Sequence, residues 1–192
     1  NSLPLLIKYK IVNLKVDIMN FIPIFDSENL YALPYGKNKT EYDRLLEFWT
    51  NQSKIFKFLD DNKTYLDKNK GIEEYMKGIN ESALHIDKTI KKIISENRPL
   101  KEFFEPLETA DSKIVNLSRR KGKRFILRLY AIRIDDDCYA ITGGAIKVTD
   151  LMDKHPDTLK ELNKLNKIKN YLKEQGVLDF DGFYELINEQ DD

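Results

Sequence analysis

With a single cysteine, Cys138, the chain cannot close an internal disulfide, so its stability must come from a packed core. Cys138 lies in a strand-like run where a buried, inert thiol is the plain reading, and a reducing cytoplasm suits it. Glycine and proline are also scarce, eight and six among 192 residues, which excludes collagen-like and low-complexity classes. No run reaches the roughly 18 apolar residues of a membrane helix, and the longest are broken by Lys, Arg or Asp, so no membrane span is expected. Leu5, Leu6 and Ile7 are followed by Lys8, Lys10 and Lys15, which leaves no signal-peptide core. The two histidines, His85 and His155, and one cysteine give no zinc spacing. Gly143-Gly144 is not a phosphate loop, because no Gly-Lys-Ser/Thr follows. Neither a metal nor a cofactor is therefore expected. Net charge is absent as well, with 32 Lys and Arg against 32 Asp and Glu, and no DNA contact is expected of this chain alone.

What is present is a folding composition, 41% hydrophobic and 33% charged, long enough for one well-packed domain. Met19 heads a segment that looks like a natural beginning. The alternation of Ile7, Tyr9 and Ile11 with Lys8 and Lys10 makes residues 1–18 an extension or an edge strand. The expected domain is residues 19–192. Apolar residues 21–25, the turn-forming Asp26-Ser27-Glu28-Asn29 and apolar residues 30–33 read as a hairpin. Thr40 with Asp43 three residues on is an imperfect capping box, opening an amphipathic helix over about 41–60 with Leu45, Phe48, Trp49, Gln52, Phe56 and Leu59 largely on its stripe. A second helical pattern runs from Ile72 to Ile94, with Gly78 and Asn80 marking a break, and Pro99 ends it.

From Lys113 the period changes from 3.6 to 2, with β-branched and aromatic residues in three runs: 113–117, 124–134 and 138–147. Asp135-Asp136-Asp137 between the last two suits a tight hairpin better than a cation site. Pro156, Thr158 with Glu161, and an apolar stripe ending at Gly176 mark a helix over 157–175, with a short docked helix in 177–187. His155 reads as a helix cap and His85 as core packing. The class is α+β: a twisted antiparallel sheet of about four strands, N-terminal helices on one face, and one C-terminal helix.

Charge location carries the functional signal. Between Ser112 and Ile134 lie Lys113, Arg119, Arg120, Lys121, Lys123, Arg124, Arg128 and Arg133, with no Asp or Glu among them. Alternation puts Arg124, Ile126, Arg128, Tyr130 and Ile132 on one sheet face and Phe125, Leu127, Leu129 and Ala131 on the other. The second set is core. The first is either a cradle for phosphate and a stacked base or an exposed face whose arginines deter edge aggregation.

The run Arg128-Leu-Tyr-Ala-Ile-Arg-Ile-Asp-Asp136, followed by the strand ending Gly143-Gly144-Ala145-Ile146-Lys147, resembles the C-terminal half of the RelE/HigB toxin superfamily, more narrowly its phage-derived Gp49-like branch. The resemblance covers about residues 113–175; the helical region of about 63–98 stands as an insertion relative to minimal members. It implies a RelE-like fold and a toxin of a type II toxin-antitoxin system, a metal-independent endoribonuclease cleaving mRNA, on the ribosome, and held by an antitoxin. The 2′-hydroxyl attacks the adjacent phosphate, which calls for a base, cationic donors and an acid. By position Arg128 would stabilise the transition state. Lys147 and Arg124 would hold phosphate or, for a desolvated Lys147, supply the base, and Tyr130 would stack, donate a proton or simply pack. Arg119, Arg120, Lys121, Lys123 and Arg133 would grip RNA. The alternative is a non-catalytic RelE-fold protein that binds RNA or a protein partner.

Overall fold

The computed structural model describes residues 19–106, 114–120, 123–148 and 155–189, with the backbone alone over 114–120 and 123–125. Expectations for residues 1–18, Lys113 and Lys121 lie outside it. Eight strands are described: β1 (Ile22–Pro23), β2 (Leu30–Ala32), β3 (Pro34–Tyr35), β4 (Lys39–Thr40), β5 (Glu105–Pro106), β6 (Ile114–Arg120), β7 (Lys123–Asp135) and β8 (Cys138–Ile146). Five helices accompany them: α1 (Glu41–Thr50), α2 (Gln52–Asp61), α3 (Ile72–Ser95), α4 (Pro156–Glu174) and α5 (Phe180–Asn188). The α+β class is as expected.

Strands β1 and β2 pair antiparallel, as the apolar-turn-apolar pattern predicts, around Phe25 and Asp26 at positive φ. All three residues of β2 are buried, so the strand sits inside a sheet rather than at its margin. Its other side pairs with β8 in parallel, Leu30 opposite Tyr139 and Ala32 opposite Ile141. The main sheet has the order β1-β2-β8-β7-β6-β5 and is mixed, which corrects the expectation of an antiparallel sheet of about four strands. A short strand buried on both faces is what a parallel neighbour requires, and the long helical excursion from α1 to α3 supplies the crossover.

Thr40 completes the capping box, its hydroxyl accepting from Asp43 N–H at 3.2 Å and its own N–H donating to the Asp43 carboxylate at 2.8 Å. The expected single helix is two, because Asn51 adopts an extended backbone and its side chain caps α2 by accepting from Lys54 N–H at 3.0 Å. The expected break at Gly78 does not occur. A Cβ there would meet nothing within 4 Å, so the glycine costs only propensity, about 1 kcal/mol, against a stripe of buried Ile79, Ala83, Ile86, Ile90 and Ile93.

Two cores flank the sheet. Leu127, Leu129, Ala131 and Ile141 pack with Trp49 and Leu45 of α1, Leu59 of α2 and the α3 stripe. Tyr130, Ile132, Ile134 and Ala145 pack with Leu165, Ile168 and Leu172 of α4 and Phe183 of α5. The face expected to stand open and basic is thus roofed by α4 and α5, and the architecture is helix, sheet, helix. The physical reason is the apolar share of that face: Ile132, Ile134 and Ala140 need covering as much as the leucines opposite. Region 63–98 contributes α3 to the first core. The aspartate turn is structural too: Asp137 accepts from Leu100 N–H at 2.6 Å and Asp135 from Phe180 N–H at 3.0 Å.

Candidate functional site

Strand β6 pairs with β7 from Ile114 opposite Ile132 to Leu117 opposite Leu129, slips by a bulge, and resumes with Arg119 opposite Arg124 and Arg120 opposite Lys123. The register of β8 on β7 begins only at Leu127 opposite Ile146. Among the described residues, Lys123 and Arg124 therefore pair with β6 alone, and the end of the hairpin runs past β8 as a two-stranded ribbon. Four cations occupy two facing register positions at its end. Facing like charges oppose pairing, and an apposed polyanion relieves them. The bulge adds local twist where the ribbon leaves the sheet.

The other residues expected at the site are scattered by the fold. Arg128 is 7% exposed, and its Nη1 donates to Leu127 O at 3.0 Å. Tyr130 is 1% exposed in the α4-side core, where burial raises its hydroxyl well above the usual tyrosine range despite the guanidinium of Arg128 nearby. A phenol so enclosed packs, the plainer of the alternatives its sequence position left open, rather than stacking on a base. Lys147 is half-buried, and its N–H donates to Ile126 O at 2.7 Å. Arg133 lies nine residues from Arg124 along β7, about 30 Å away, half-buried opposite Tyr139. It lines a separate groove with Lys169 and Lys173 of α4 and does not join the ribbon.

His155 caps a helix, as expected, and His85 is half-buried on α3. His155 is 1% exposed, accepts from Asp157 N–H at 3.2 Å as the α4 cap, and meets Asn62 Oδ1 at 2.7 Å. His85 Nε2 contacts Thr89 Oγ1 at 3.0 Å. Among the described residues no three His, Cys, Asp or Glu side chains gather where they could hold a metal, and no helix is long and apolar enough to cross a membrane.

A second locus escaped the sequence reading. Parallel neighbours β2 and β8 send the chain to opposite faces, β2 leading to α1 over the first core and β8 to α4 over the second. Strand β2 stops at Ala32, opposite Ile141, so on that side no described strand accompanies residues 143–146 of β8. The crevice left there, about 520 Å³, is lined by Tyr35, Arg44, Phe48, Trp49, Phe58, residues 144–146, and Asp157, Lys160, Glu161 and Lys164 of α4. Gly143 and Gly144 make it possible. A Cβ on Gly143 would collide with the Glu161 carboxylate, and one on Gly144 would lie 2.6 Å from Arg128 O and 2.9 Å from the Trp49 ring. Trp49 Nε1 and Glu161 Oε2 are buried without a hydrogen-bond partner. Burial raises the Glu161 carboxyl above the usual carboxylate range, with Lys164 opposing the shift. Lys164 and Arg44 are both held by Glu41, at 2.5 and 2.7 Å. The only trace of this locus in the sequence was the glycine pair; Trp49 and Glu161 looked like ordinary helix residues.

Compared with family models, with curated proteins and with solved structures, the chain finds no match in any of the three.

Proposed function

We propose that the protein binds RNA through the β6–β7 ribbon. The observation that carries this reading is the register of Arg119 against Arg124 and Arg120 against Lys123, beyond the last residue that β8 pairs. Such a ribbon follows a phosphate backbone without reading sequence. The resemblance of residues 113–175 to RelE/HigB-like toxins makes messenger RNA the target, cleavage the outcome and an antitoxin the neutralising partner. In that reading Arg128 faces the growing phosphorane charge and Lys147 a phosphate oxygen, with Tyr130 left as packing beneath them.

A second reading has its own support. Arg128 is 7% exposed under α4, so a chain that binds RNA through the ribbon without cutting it needs no movement of that helix. Induced expression of wild type and of Arg128→Ala, read by growth and by primer extension on total mRNA, separates the two. Growth arrest with new 5′ ends that vanish in the variant supports the toxin. RNA binding without arrest or cleavage from wild type leaves the non-catalytic reading, and absence of RNA binding removes both.

A further inference from the structure

The crevice between α1 and α4 carries chemistry that ribbon binding does not use. It opens at the point where two adjacent parallel strands send the chain to opposite faces, the place where open α/β sheets leave room for ligands at the strand ends. Its volume, about 520 Å³, is that of a small-molecule site. The polar groups it offers are of three kinds.

The first kind is main chain. Lys147 N–H donates to Ile126 O on the β7 side, so by the period of two Gly144 and Ile146 turn their N–H and C=O groups the other way, into the crevice. Before the irregularity near Thr142 it is Tyr139 and Ile141 that face β2, with Tyr139 N–H donating to Asn29 O and Leu33 N–H to Ile141 O. The offset moves the outward phase onto the glycine. Two outward residues walled by α1 and α4 are too few for an added strand, yet enough for the edge of a small ring.

The second kind is the Glu161 carboxyl, whose Oε2 is buried against Gly143 without a partner, as Trp49 Nε1 is on the other side of the strand; of the two only the end of Glu161 can swing into the crevice. An unsatisfied buried donor and acceptor each cost free energy unless something meets them. The third kind is charge and aromatic surface: Tyr35, Phe48 and Phe58 on the α1 and α2 side, and Arg44, Lys160 and Lys164 against Glu41, Asp157 and Glu161. Lys164 and Arg44 are taken up by Glu41, whereas Lys160 forms no ion pair among the described residues, which makes Lys160 the cation available to a phosphate.

We infer that this crevice binds a nucleoside monophosphate unit, free or as one nucleotide of an RNA strand, its base edge meeting the main chain of Gly144 and the Glu161 carboxyl swung out from Gly143, and its phosphate lying toward Lys160. The inference stands apart from the ribbon, because a free mononucleotide needs no polyanion site. Bound base would stack on the aromatic wall, a sequence-tolerant contact, while the carboxyl sets which base edge is preferred.

Trp49 is the only tryptophan, so its fluorescence reports the crevice directly. The experiment titrates the full chain with each of the four ribonucleoside monophosphates, with inorganic phosphate, and with a short RNA, using wild type, Glu161→Gln and the ribbon variant Arg119→Ser/Arg120→Ser/Lys123→Ser/Arg124→Ser. The expected result is saturable fluorescence change with at least one mononucleotide, none with phosphate alone, and affinity altered about tenfold in Glu161→Gln but unchanged in the ribbon variant. Response to RNA but to no mononucleotide assigns the crevice to a nucleotide within a strand if Glu161→Gln weakens it, and overturns the inference if only the ribbon variant does. No response to any nucleotide or RNA at millimolar concentration also overturns it, while leaving ribbon binding to be judged by its own assay. Circular dichroism of Glu161→Gln confirms that a changed affinity is not a lost fold.

Discussion

Gly143 and Gly144 stand side by side in β8, yet a methyl group added to each meets different matter, and the two substitutions should part company. On Gly144 the new Cβ lies 2.6 Å from the carbonyl oxygen of Arg128 and 2.9 Å from two atoms of the Trp49 ring. That carbonyl belongs to the paired strand β7, and Trp49 is 1% exposed at the centre of the first core, so neither can retreat. Overpacking of this kind costs about 1–3 kcal/mol, against about 0.4–1 kcal/mol returned by restricting the unfolded chain. On Gly143 the obstacle is the end of the Glu161 side chain, which can swing toward Lys160 and solvent and thereby release its unsatisfied oxygen. Gly143→Ala should change stability by less than about 1 kcal/mol, whereas Gly144→Ala, with neither neighbour free to move, stands at the upper end, about 2–3 kcal/mol less that return, and should lower the melting temperature by about 2–10 °C at 2–4 °C per kcal/mol. Thermal unfolding followed by far-ultraviolet circular dichroism measures both. Trp49→Leu in the Gly144→Ala background should recover only part of the loss, because the Arg128 carbonyl remains. A Gly144→Ala protein melting within about 1 °C of wild type, or a larger loss at Gly143, would refute the packing described here.

Three further outcomes follow from particular side chains. Glu161 has its carboxyl raised in the fold, so the folded state holds a proton that the unfolded state has released; that contribution is complete below the ordinary carboxylate range and lost as pH rises through the raised value. Glu161→Gln should accordingly gain stability relative to wild type between about pH 4 and pH 8, and a pH-independent difference in denaturant midpoint would contradict this. His155→Ala removes the α4 cap and the bond to Asn62 that ties α4 to the end of α2, at a cost of about 2–3 kcal/mol seen in urea unfolding. Cys138 is 2% exposed with its thiol pushed up to about 12 by burial, so a thiol-reactive disulfide reagent should label it only at the rate of unfolding; immediate labelling of the native protein would show the second core to be open.

The elements were largely readable from local pattern, and their arrangement was not. Thr40 with Asp43 and His155 with Asp157 each act through neighbours a few residues away, and each sits where its chemistry put it; the aspartate turn was placed by local pattern too, but its bonds to Leu100 and Phe180 were not. The break at Asn51 was missed because Gln52, Phe56 and Leu59 carry the apolar spacing of α1 onward, while the side chain that splits the helix caps through one hydrogen bond. The parallel pairing of β2 with β8 joins residues about a hundred positions apart, and alternation within a strand says nothing about its partner's direction. The same limit hid the roof over Arg128 and Tyr130: alternation gave them a common face, but only the placement of α4 decided that the face is buried. The crevice was invisible for a further reason. Trp49 and Glu161 belong to different helices and meet only across the glycine pair, whose small size could be noticed but not explained before the two helices were in place.

The central claim, a basic ribbon that grips RNA, is tested most directly by the salt dependence of binding to single-stranded RNA. Each phosphate neutralised on a single strand contributes about 0.7 to the slope of log affinity against log salt, so Arg119, Arg120, Lys121, Lys123 and Arg124 together predict a slope near −3.5. Replacing Arg119, Arg120, Lys123 and Arg124 by serine should bring it to about −0.7 and weaken binding alike for every RNA sequence tried. A wild-type slope near zero, or a slope and affinity untouched by the four replacements, would contradict the claim.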